Sequence, residues 1–182
     1  PDLSFATPVP TPLPVEAAPL PTTTLTFIAH VAASTPASTS LAALIIDPVD
    51  EQLERDLEAL KRLGATLKWA VETHTHADHI TSAGKLAELA GARTAAPAGC
   101  GIGTAGTQLA HGDILRFGGE SLQALHTPGH TAGSMSFVWR DHVLTVDTML
   151  INGCRRTEFH AGSADANYHS LTQELLNLPH AH

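Results

Sequence analysis

The rhythm of apolar and polar positions changes twice along this chain, and each change marks a different kind of element. Leu41–Ile46 is an unbroken apolar run stopped by Asp47-Pro48, which predicts a strand covered on both faces. Leu53, Leu57 and Leu60 then recur at helical spacing, with Asp50 placed to cap the helix start and Gly64 just past its end. Over 66–72 the pattern becomes strict alternation, Leu67, Trp69 and Val71 against Lys68, Ala70 and Glu72, which predicts a half-buried strand. A second helix is expected over about 80–90, closed by Gly91. A short strand candidate at 93–96 and a Gly/Ala/Thr-rich loop over 97–108 follow.

Beyond that loop, short strands dominate. Segments 114–117, 122–126, 134–139 and 143–146 are separated by the turn pairs Gly118-Gly119, Pro128-Gly129 and Arg140-Asp141. A last helix near 165–178 carries Tyr168, Leu171, Leu175 and Leu178. Helices and strands interleaved early, then a run of antiparallel strands, predict a layered α/β (α+β) domain. Residues 1–24 hold seven of the twelve prolines and cannot sustain a helix or a central strand, so they read as a Pro-rich arm or linker. The domain is expected over 25–182, beginning with a short strand at 25–29 and an Ala/Ser/Thr-rich loop at 32–40.

Composition narrows the partners. A length of 182 residues suits one domain, and a formal charge of −8 without a basic cluster argues against nucleic acid and anionic membrane. The longest apolar runs are far shorter than a membrane span, and no basic segment precedes an apolar core at the N-terminus. Cys100 and Cys154 lie far apart, without zinc-site spacing. The expected setting is the cytoplasm or an organelle matrix, without secretion.

Chemistry concentrates directly after the strand at 66–72, where Thr73-His74-Thr75-His76-Ala77-Asp78-His79 places four metal-ligand side chains within six residues. His74 and His76, two apart on extended chain, point the same way, while Asp78 and His79 approach from the helix start. A solvated polar loop in a chain of 12 histidines is the bland alternative. Two distant stretches weigh against it. Thr127-Pro128-Gly129-His130-Thr131 makes a tight turn that presents His130 at a strand end, and the strand at 143–146 delivers Asp147 at the same kind of position. Alone, Asp147 could equally be a strand-terminating cap.

The order H-x-H-x-D-H, T-P-G-H-T and strand-ending Asp resembles the metallo-β-lactamase superfamily across 41–178. Gly153-Cys154-Arg155-Arg156-Thr157-Glu158-Phe159 further resembles the persulfide (sulfur) dioxygenase branch, close to glyoxalase II, and Tyr168-His169-Ser170 fits the same branch. The resemblance implies an αββα sandwich with its metal site at one edge of the sheets. It implies a mononuclear Fe(II) dioxygenase that oxidises glutathione persulfide with O2 to sulfite and glutathione. In that reading His74, His130 and Asp147 hold one iron per chain, and His76, Asp78 and His79 support them from outside. Arg156 and Tyr168 would bind the substrate, and a homodimer is compatible with the family. An alternative is a dinuclear zinc thioester hydrolase in which His74, His76 and His130 hold one metal, Asp78, His79 and the late His182 the other, and Asp147 bridges them. A non-catalytic metal-binding domain is a third. The chain departs from the branch at Val146 and Arg155, where Gly is usual, and at His160, where Gln is usual; its C-terminal end reads as incomplete against the family pattern.

Overall fold

The computed structural model describes residues 27–32, 41–158 and 161–179. The expected Pro-rich arm at 1–24, most of the loop at 32–40, and His160 and His182 lie outside them.

Two sheets face each other. The first has the spatial order β1 (Phe27–Ala32), β2 (Leu41–Ile46), β3 (Ala65–Val71), β4 (Arg93–Pro97) and β5 (Thr107–Leu109). Strands β2 to β5 run parallel and β1 pairs antiparallel with β2. The second is an antiparallel meander, β6 (Ile114–Phe117), β7 (Glu120–His126), β8 (Met135–Trp139) and β9 (His142–Leu144). Helices α1 (Leu53–Leu63) and α2 (Ala83–Ala90) are the crossovers of the parallel strands.

The apolar run of β2 is buried on both sides because each side meets a different layer. Ala42, Leu44 and Ile46 face the second sheet, joining Trp69 and Val71 against Leu115, Phe117, Leu122, Met135 and Phe137. Ala43 and Ile45 face the helices, against Leu60, Leu67 and Leu86. Each such Leu, Ile or Phe taken fully out of water contributes about 1.5–3 kcal/mol. Gly64 and Gly91 close α1 and α2 in the left-handed conformation, as their positions predict.

Several boundaries differ from expectation. Asp50 lies in a 3₁₀ turn (Asp50–Gln52) and pairs with Lys85 at 2.8 Å instead of capping α1. The second helix starts at Ala83, because Ser82 N–H bonds Pro48 O and ties the preceding segment to the chain after β2. Within 97–108, expected to be loop, Thr107–Leu109 adds an edge strand to β4. The last helix is α3 (Ala164–His169), capped by the Ser163 hydroxyl accepting from Ala166 N–H, and it widens into a π-helical stretch at Ser170–Leu175. A cleft of about 400 Å³ separates this stretch from His111 and His126. Among the described residues no helix is long and apolar enough to cross a membrane.

Candidate metal centre

Three chain segments meet where the strand ends of the two sheets come together. Met135 N–H, at the start of β8, bonds Thr73 O at 2.9 Å and pins the segment after β3 to the opposite sheet. Thr127, after β7, bonds Ser136 at 2.9 Å and Thr148 at 3.1 Å through its buried hydroxyl, which fixes the loop after β9 beside the His130 loop. His74, His130 and Asp147 are each carried by one of these segments.

Their polar atoms converge. His74 Nε2 lies 3.7 Å and His130 Nε2 lies 3.5 Å from the same Asp147 oxygen, Oδ2. Both imidazoles are held by their other nitrogen. His130 Nδ1 donates to Arg156 O at 2.8 Å, and a carbonyl can only accept, so Nε2 is left with its lone pair. The Thr73 hydroxyl donates to Asp47 at 2.7 Å and therefore accepts from His74 Nδ1 at 2.8 Å, which leaves His74 Nε2 in the same state. Burial, reinforced by the charge on His76, pushes His74 down to about 4, so it stays neutral.

This set fits a transition metal. Two imidazole nitrogens and one carboxylate oxygen, all within 4.8 Å of one another, are donor types that such an ion takes. Two further groups of potential ligands occur among the described residues, Asp47 with His74 and His76, and His76 with Asp78 and His79. The remaining described histidines whose side chains are placed, such as His111, His126 and His142, join none of these groups.

His76 is not in the first cluster, although its ring centroid lies 4.1 Å from that of His74. Its Nε2 lies 3.0 Å from Asp47 Oδ1 and 3.4 Å from Glu72 Oε2, at pairing distance yet without a well-aligned hydrogen bond. Burial alone would lower the pKa of His76, but the two carboxylates outweigh it and raise it to about 10. For Asp47, likewise, pairing with His76 overcomes the opposing effect of burial and lowers its pKa. Asp78 meets His79 Nδ1 at 3.1 Å, and His79 Nε2 is buried without a hydrogen-bond partner.

Asp47 does more than end its strand, the only role its position predicts. Its fully buried carboxylate accepts from Thr73 N–H at 2.8 Å and organises both His74 and His76. The available signal was that a carboxylate ends β2 just as one follows β9. Asp147 itself lies past the end of its strand, because Val146 adopts φ 40° and β9 stops at Leu144. Of the expected substrate groups, the Arg156 side chain is exposed while its carbonyl orients His130. Tyr168 is 65% exposed on α3. The turn at His130 is tightly backed: a Cβ on Gly162 would meet Gly129 O and His130 O at 2.7 Å.

Two facing sheets with outer helices and a His/His/Asp cluster at the strand ends define a metallo-β-lactamase-type metalloprotein. The family model for the metallo-beta-lactamase superfamily matches residues 38–99, and the chain belongs to that superfamily. Within it, the chain is 41% identical over 142 residues to "Persulfide dioxygenase ETHE1, mitochondrial" of Homo sapiens, covering 77% of this chain and 56% of that protein. It is 34% identical over 140 residues to a hydroxyacylglutathione hydrolase of Acidiphilium cryptum, covering 75% of this chain and 56% of that one. The crystal structure of ETHE1 from Myxococcus xanthus superposes with a TM-score of 0.78 at 40% identity, covering 86% of this chain and 66% of that chain. The chain thus spans little more than half the length of these curated relatives.

Proposed function

We propose that this chain is the metal-binding part of a persulfide dioxygenase, holding one Fe(II) through His74, His130 and Asp147 and oxidising glutathione persulfide with O2 and water to sulfite and glutathione. The observation that carries the reading is the shared focus of two lone-pair-bearing Nε2 atoms and one carboxylate oxygen, within 3.5–3.7 Å. The greater identity to persulfide dioxygenases than to the thioester hydrolase supports it. Two imidazoles and one carboxylate leave several positions open on an iron, which supplies the redox chemistry that O2 requires.

The protein's own groups do the rest. Asp47 and Thr73 hold His74 neutral and aimed; Arg156 O does the same for His130. The Arg156 guanidinium, on the same segment, takes a carboxylate of the glutathione moiety, and Tyr168 assists at the outer face. Outside the ligand set, His76 is engaged by two carboxylates, and Asp78 pairs with His79. In this reading the protein works in the cytoplasm or an organelle matrix, and a homodimer is compatible with it.

A second reading is favoured by the buried His79 Nε2, which lacks a hydrogen-bond partner and lies in a second ligand group with His76 and Asp78, as a second metal in a thioester hydrolase would require. Oxygen consumption by the iron-loaded protein with glutathione persulfide tests the choice. Uptake of O2 with sulfite formed in equal amount supports the dioxygenase; glutathione release from acyl-glutathione without O2 uptake supports the hydrolase.

A further inference from the structure

Asp147 presents its two carboxylate oxygens to different partners. Oδ2 faces the two imidazoles, whereas Oδ1 lies 3.1 Å from Arg155 Nε. The pair is only partly shielded, with side chains 22% and 34% exposed. The Arg155 guanidinium thus sets a positive charge directly against the Asp147 carboxylate. A divalent cation held at Oδ2 would therefore meet a fixed positive charge one carboxylate away. The buried group of Asp47, Glu72 and His76 adds negative charge nearby.

We propose that Arg155 sets the metal affinity of this centre: it holds Asp147 to a single donor oxygen and weakens divalent-cation binding by its charge. The inference rests on the reading that His74, His130 and Asp147 bind the metal. Like charges a few ångströms apart repel, and partial exposure screens most of that repulsion. Removing the charge is expected to tighten binding about ten-fold, a difference of about 1.4 kcal/mol.

The test is Co(II) titration of metal-free protein against a competing chelator, for the unaltered chain, Arg155→Gln, Arg155→Ala and Arg155→Lys. Far-UV circular dichroism checks folding. Gln and Ala should each bind Co(II) about ten-fold more tightly, and Lys, which keeps the charge, should stay near the unaltered chain. The Co(II)-induced rise in thermal midpoint should be larger for Gln and Ala, and the gap should narrow at high salt. Unchanged or weaker binding in both neutral variants would overturn the proposal, showing that Arg155 supports Asp147 and does not oppose the ion. Tight binding by Lys as well would overturn the charge argument. If no folded variant binds Co(II) at all, the metal-centre reading itself fails and takes the proposal with it.

Discussion

Replacing Asp47 by Asn tests whether the centre is organised from behind, because the backbone should tolerate the change while the chemistry reverses. Asp47 sits at φ 50°, a conformation Asn adopts at least as readily, so any effect comes from the side chain. The amide oxygen can still accept from Thr73 N–H. The amide nitrogen, however, now donates where Oδ2 accepted, so the Thr73 hydroxyl must turn and donate to His74 Nδ1. That places the His74 proton on Nε2, the atom facing Asp147. His76 also loses the nearer of its two carboxylates. Breaking a buried pair costs about 3–5 kcal/mol, and the remaining Glu72 puts this case near the lower end, still a large fraction of a typical total of about 5–15 kcal/mol. Metal affinity should fall about 10–100-fold, as when other partners of metal-bound histidines are removed. Urea unfolding of the metal-free protein measures the first effect and Co(II) titration the second, while nitrogen-15 NMR of the His74 ring reports its tautomer. An unchanged urea midpoint together with unchanged Co(II) affinity would refute the relay.

Two further outcomes follow from the same region. His74 is depressed to about 4, so its contribution to metal-free stability is present above about 6.5 and is lost as pH falls toward 4; His76 is raised to about 10, so its contribution is full below about 6.5 and is lost as pH rises toward 10. The two together place a stability maximum near pH 6.5, and urea midpoints that fail to drop on both sides would contradict the assignment. Val146→Gly should raise stability by about 1 kcal/mol, since a β-branched residue at φ 40° carries left-handed strain of about 1–2 kcal/mol, partly offset by the flexibility of Gly in the unfolded chain. A lower thermal midpoint in that variant would show that Val146 packing outweighs its strain.

What the sequence made legible was periodic or clustered. The apolar run of β2, the leucine spacing of α1 and the alternation of β3 each correspond to a buried face, and His74, His130 and Asp147 meet as their motifs implied. What it hid depended on long-range pairing. Strand β5 exists through its register with β4, a contact that its own three residues do not announce. Asp47 becomes legible as part of the site only once β2 and β3 lie side by side, because its partners are 26 and 29 positions away. The early end of β9 followed from a backbone conformation at Val146 that its residue type argues against.

The central claim, one metal held by His74, His130 and Asp147, is tested most directly by metal content. The unaltered chain, Asp78→Asn and Asp147→Ala would be loaded with Fe(II) under anaerobic conditions, desalted and measured for iron per chain, with circular dichroism confirming the fold. Asp78 pairs with His79 outside the three-ligand cluster, so its amide variant should keep about one iron, like the unaltered chain, whereas Asp147→Ala should retain almost none. About two metals in the unaltered chain, falling by half in Asp78→Asn, would contradict the single-metal assignment and establish the dinuclear centre in its place.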